Sequence, residues 1–143
     1  MLVGFFRGAY SLVLPSIVNP NESLARYLMY QKGYFSTEMN SVKYMAFMPS
    51  PDDLRLSVFR IDGLKLDEVW EIGQKEVIDV LPQPKTLYGR ADIKASKVRK
   101  FDLEIEPTNT HSRHADTCGW PEKAKHKSVA QQLAAEAKLI LKE

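Results

Sequence analysis

Thr86-Leu-Tyr-Gly-Arg-Ala-Asp-Ile-Lys-Ala95 is the stretch that decides the fold class. Leu87, Gly89, Ala91, Ile93 and Ala95 share one parity, and Thr86, Tyr88, Arg90, Asp92 and Lys94 the other. Apolar and small residues therefore face one way and polar ones the other, the period of a strand with one face on a core. The small residues of the inner face predict a helix lying close over it.

A helix of the right kind follows downstream. Pro121 suits a first helical position, where its missing N–H costs nothing. Val129, Ala130, Leu133, Ala134, Ala137, Ile140 and Leu141 then fall on one stripe, predicting a C-terminal helix of about 20 residues. Upstream, Leu54–Ile61 (LRLSVFRI) reads as a strand and Val42–Met48 (VKYMAFM) as a buried one. The Pro49–Asp53 connector between them is too short for a crossover, so the two are expected to form an antiparallel hairpin. Leu24, Tyr27 and Leu28 recur at helical spacing after Asn19-Pro20-Asn21, predicting a short helix from Asn21 to Gln31 with Arg26 on its exposed side. Leu66, Val69, Trp70 and Gly73 predict a second helix, and Val77–Leu81 a strand. Ser96–Phe101 reads as a helical turn or two, Leu103 and Ile105 as a brief strand, and Thr108–Gly119 as a loop. The expected fold is a single α+β domain over residues 1–143, with a mixed or antiparallel sheet of about four to five strands and the long C-terminal helix packed on it. Residues 1–18 are expected to be an N-terminal extension or an edge strand.

The 143 residues are 44% hydrophobic and 27% charged, which suits one core and excludes a disordered composition. The net charge of +2 gives no overall pull toward nucleic acid, but its distribution is uneven. Six acids face two lysines between Asp62 and Asp79, and six bases face Asp92 alone between Pro84 and Lys100. A basic patch of that kind suits phosphates or an acidic partner. One cysteine forms no intrachain disulfide and fits a reducing compartment. The apolar start, MLVGFFRGAYSLVLPSIV, is interrupted by Gly4, Arg7, Gly8 and Pro15 and is too short for a span. It also lacks the basic start and cleavage site of a signal peptide. The expectation is a cytoplasmic protein without a membrane anchor.

Four segments carry a resemblance: Ser57–Leu64 (SVFRIDGL), Glu68–Gly73 (EVWEIG), Gly89–Ser96 (GRADIKAS) and Arg113–Lys123 (RHADTCGWPEK) before an Ala-rich tail. Together they resemble a family of small uncharacterised bacterial proteins over most of the chain from about Leu24 onward. Arg113-His114-Ala115 followed by Gly119-Trp120-Pro121 is the most specific piece, and residues 1–20 do not match. The resemblance implies no activity, cofactor or partner.

Candidate chemistry gathers in Thr110–Lys127. A helix N-terminus with Gly119, Trp120, Pro121 and Lys123, beside Arg113 and His114, has the ingredients of an anion site. Arg60 and Arg90 are added if the 108–120 loop crosses their sheet face. There Asp92 would orient His114 as acid or base, with Arg90 and Arg113 holding phosphate oxygens. The competing reading is a structural clasp in which these groups lock the loop to the sheet. His111, His114, Cys118 and His126 have zinc-type side chains, but their spacing matches no common finger or ribbon, so no metal and no cofactor is expected. Two functions follow as expectations. One is a binding or accessory module for a phosphate-bearing ligand (nucleic acid or nucleotide) or an acidic protein. The other is a metal-independent phosphodiester-cleaving or nucleotide-transfer enzyme using His114.

Overall fold

The computed structural model describes residues 14–143. Among these described residues are eight strands: β1 (Ser23–Leu28), β2 (Phe35–Ser36), β3 (Ser41–Val42), β4 (Leu56–Arg60), β5 (Gly89–Lys94), β6 (Glu104–Pro107), β7 (His114–Cys118) and β8 (Lys138–Leu141). The described residues also hold three α-helices: α1 (Leu66–Ile72), α2 (Ala95–Arg99) and α3 (His126–Glu136). Six strands form one antiparallel sheet in the order β6-β7-β4-β1-β5-β8, and β2 pairs with β3 alone. The fold is α+β as expected, with six strands in the main sheet rather than four to five. The earlier part of the 1–18 expectation lies outside the described residues. Within them, Val18 is buried in the core and the Pro15 carbonyl accepts a hydrogen bond from Arg60.

The sheet has two packed faces. On one, Leu24, Leu28, Leu56, Val58, Ala91, Ile93 and Ala115 meet α3 and a 3₁₀ turn at Tyr44–Phe47, forming the main core. The other carries a smaller cluster of Ala25, Tyr27, Phe59, Ile61, Val69, Ile78 and Leu87, beneath α1 and a π-helical stretch, Gly73–Ile78. The alternation read in Thr86–Ala95 holds in β5, where Ala91 and Ile93 enter the main core and Arg90 and Asp92 look the other way.

Five expectations are corrected. Asn21–Gln31 contains the central strand β1 instead of a helix: both of its faces are buried, so Leu24, Ala25, Tyr27 and Leu28 lose the alternation that marks a half-exposed strand. Val42–Met48 is a 3₁₀ turn with Ala46 and Phe47 under α3, so β4 pairs with β1 and β7 and not in a hairpin with that segment. Val77 and Ile78 close the helical stretch that continues α1, not a strand. The 108–119 loop contains β7, whose buried residues are only Ala115 and Thr117, too weak an apolar signal to reveal the period. The C-terminal helix stops at Glu136; Ala137 is extended (φ −89, ψ 152), and Lys138–Leu141 becomes β8, paired with β5.

One close approach fixes the cover of the second face. A methyl group on Gly73 would stand 2.6 Å from the Tyr27 ring, so only glycine lets this helix settle on β1. Tyr27 in turn donates its hydroxyl to the Val69 carbonyl of α1.

Candidate functional site

The functional geometry comes from a break in the sheet. β1 pairs with β4 only at Leu24↔Arg60 and Ala25↔Phe59, while it stays paired with β5 as far as Leu28↔Gly89. β4 meanwhile remains paired with β7 from Phe59↔His114 to Leu56↔Thr117. The two halves of the sheet therefore open into a V beyond Ala25, and Arg26 stands in the opening.

Arg26 replaces the missing ladder with its side chain. Nε donates to the Ala46 carbonyl at 2.9 Å and Nη1 to the Ser57 carbonyl at 3.2 Å. A guanidinium has five N–H donors, so three are left over among the described residues. No carboxylate pairs with Arg26 among the described residues, and loss of hydration lowers its pKa against the opposing pull of Tyr34. A burial cost of this kind is ordinarily offset by a partner anion.

Arg26 and Ser57 border a cleft of about 370 Å³ together with Tyr27, Phe59, Glu76, Val77, Val80, Thr110, His111 and His114. Most of these residues belong to the second face, whereas the Arg26 side chain leaves β1 on the main-core side, with Leu24 and Leu28, and meets the cleft at the gap in the sheet. The floor of the cleft is aromatic. The Phe59 ring lies edge-on to Tyr27 at 5.7 Å, to His111 at 6.0 Å and to His114 at 5.1 Å. His111 Nδ1 accepts the Arg113 main-chain N–H at 3.0 Å, so a neutral ring carries its proton on Nε2. His114 Nδ1 bonds the Thr108 hydroxyl, and its Nε2 lies 3.7 Å from Asp116 Oδ1. Burial depresses the His114 pKa despite Asp116, so the imidazole is neutral at pH 7 and its approach to Asp116 is not an ion pair. The same Arg26 and Ser57 also border a second hollow on the other side of the opening, with Tyr34, Ser50 and Arg55.

The residues singled out from sequence do not all meet here. His111 and His114 reach the cleft. Arg60 is 2% exposed and fully engaged, with Nε and Nη2 each 2.8 Å from a Glu22 oxygen and Nη1 2.8 Å from the Pro15 carbonyl. Arg113 is buried, donating Nη1 to the Arg60 and Asp62 carbonyls, with its Nε unpartnered. Arg90 pairs with Asp92 at 3.0 Å and stacks over Trp70 at 4.7 Å. The row His114, Phe59, Ala25, Asp92 crosses four strands, which separates Asp92 from His114 by about 14 Å at ordinary strand spacing. Asp92 thus cannot orient His114.

The helix entry is also built differently. Gly119 takes a left-handed turn (φ 80), and Trp120 is buried in the main core, its Nε1 donating to the Thr117 carbonyl. Lys123 is exposed in a 3₁₀ turn, Lys123–Lys125, so α3 begins only at His126. His126 is buried, bonded to the Pro121 carbonyl at 2.7 Å and edge-on to Trp120. Cys118 lies on β7, half-buried, with burial raising its thiol pKa. Among the described residues no three His, Cys, Asp or Glu side chains are placed to hold a metal, and no helix is long and apolar enough to cross a membrane.

Arg26 was the residue that sequence reasoning missed. Taken as part of a helix, it falls off the Leu24/Leu28 stripe and looks solvated. Taken as part of a strand, it shares parity with Leu24 and Leu28, which makes it a charge inside an apolar run. Comparison of the chain with protein families, curated proteins and solved structures found no match to any of the three.

Proposed function

We propose that the protein is a binding module for a phosphate-bearing ligand, and that the ligand enters the cleft between β1 and β4. The observation that carries this reading is Arg26, a cation desolvated in the opening of the sheet with no carboxylate partner and three spare N–H donors among the described residues. His111, whose Nε2 holds the proton of the neutral ring, supplies a further donor in the same cleft. Guanidinium and imidazole donors bordering one cleft are suited to phosphate oxygens. The cleft of about 370 Å³ admits a small molecule or one projecting group, not the face of a folded acidic protein.

Calorimetric titration with pyrophosphate tests the proposal. Wild-type protein binds, while Arg26→Gln and His111→Ala, each still folded by circular dichroism, bind more weakly or not at all. Equal binding by wild type and both variants contradicts it.

A second reading has one observation in its favour: two histidines share the cleft with the arginine. His114 can take a proton and His111 Nε2 can hydrogen-bond a phosphoryl oxygen, while Arg26 steadies its charge. That is the composition of a metal-independent phosphodiester-cleaving site. Release of product from RNA in the presence of a chelator, abolished in His114→Ala, would support it; no turnover removes it and leaves the binding module.

A further inference from the structure

The two edges of the main sheet are guarded differently. At β6, Thr108 donates its N–H to the His114 carbonyl and Glu106 pairs with Asp116, so Ile105 and Pro107 are the residues that turn outward. Pro107 has no N–H to offer, and Glu104 and Glu106 put charge along the rim, the usual marks of an edge that stays single. β8 has no such guard. Lys142 donates its N–H to the Tyr88 carbonyl and Ile140 pairs with Arg90, so Leu139 and Leu141 turn their N–H and C=O groups away from β5. No strand among the described residues takes these groups up. β3 reaches the main-core side of β8 through Val42 but pairs only with β2.

The side chains around this edge are apolar. Leu141 is 42% exposed, and Leu66, at the start of α1, is 64% exposed. Both border a hollow of about 520 Å³ with Trp70 and Ile140, which Asp67 and Lys142 also line. An open ladder beside exposed apolar residues is a template for another strand, and β8 itself supplies a matching one. We propose that two copies of the chain pair β8 to β8, antiparallel, about a two-fold axis at Ile140. Around that axis Leu139 and the second copy's Leu141 exchange both main-chain hydrogen bonds, and the reciprocal pair does the same. The same two leucines then stand opposite each other on the main-core side, which covers Leu141. The two Ile140 side chains meet on the second face, beside Leu66 and Trp70. The second copy's Lys138 arrives opposite Lys142. Asp67, whose described partner is the Glu68 N–H of its own helix, supplies the counter-charge there. The blunted β6 edge closes the assembly at two copies. This interface lies beyond β5 from the cleft and does not depend on the phosphate reading.

Sedimentation equilibrium of the whole chain over a concentration series tests the proposal. Wild type is expected to approach twice the chain's 16.3 kDa. Leu141→Pro removes an outward donor and no bond inside the chain. Its circular dichroism is expected to stay that of wild type while the dimer dissociation constant rises about tenfold or more. Asp67→Lys, an exposed change in the first turn of α1, also weakens the dimer, and adding Lys138→Asp restores it. Wild type at single-chain mass throughout the series overturns the proposal. So does a dimer that neither Leu141→Pro nor Asp67→Lys weakens, since its interface then lies elsewhere.

Discussion

Arg26 Nη1 donates to the Ser57 carbonyl at 3.2 Å across the gap where β1 and β4 have stopped pairing. A side chain thus does what the main chain does elsewhere in the sheet, and the same side chain is the cleft's cation. Arg26→Ala removes the donors to both Ser57 and Ala46. It is expected to lower unfolding free energy by about 1 kcal/mol, chiefly through the part-buried Ala46 bond, because the Ser57 carbonyl can turn to water. Arg26→Lys keeps the charge but not the planar fork, so it recovers part of the pyrophosphate binding and little of the stability. Urea titration of both variants beside the binding measurement checks this. A neutral effect of Arg26→Ala on stability would show that the V needs no bridge.

Arg60 and Glu22 make a different kind of arginine site. The guanidinium is 2% exposed and the carboxylate meets it with both oxygens. Removing the acid alone leaves a buried charge, so Glu22→Ala is expected to cost about 3–5 kcal/mol. Replacing both residues with apolar ones of similar size recovers most of it. Burial opposes the Glu22 charge, but the Arg60 hydrogen bond, the Asn19 N–H and the charges of Arg60 and Arg113 outweigh it and hold the pKa below 4.5. The folded pKa lies below the unfolded one, so this contribution is complete above the unfolded carboxylate range and disappears as pH falls through the folded value. Unfolding free energy measured from pH 6 down to pH 2 should fall less steeply in the double replacement than in wild type.

Arg90 and Asp92 stand on the sheet face of the cleft but two strands away from β4, beneath Trp70. Asp92 has its pKa raised by burial against the pull of Arg90. Arg90→Met is therefore expected to change thermal stability and leave pyrophosphate affinity unaltered. A parallel loss of affinity would move the binding site toward β5 and away from the sheet opening.

The fold was legible where one strand face met solvent or polar cover, and obscure where both faces were buried. Thr86–Ala95 announced β5 because Arg90 and Asp92 interrupt its apolar residues. SLARYL concealed β1 because a central strand is apolar on both sides, and Leu24 and Leu28 also satisfy a helical period. That single misreading hid the site, since it turned Arg26 from an enclosed cation into a solvated one. His111 and His114 were visible as a dense polar cluster, and the structure brings both to the cleft. Arg60, Arg113 and Trp120 belong to the same conspicuous segments but are internal, which composition and spacing do not reveal. Glu76 left no signal, because its place depends on the π-helical continuation of α1 and on the contact of Gly73 with Tyr27.

The three histidines report on the central claim without any substitution. His111 and His114 line the cleft, while His126 is sealed behind Trp120 and bonded to the Pro121 carbonyl. Imidazole nitrogen resonances recorded during titration with pyrophosphate therefore distinguish the sheet opening from the rest of the molecule. Saturable shifts of His111 and His114, with His126 unmoved, are the predicted result. Shifts confined to His126, or no change at any of the three, would contradict an anion site between β1 and β4.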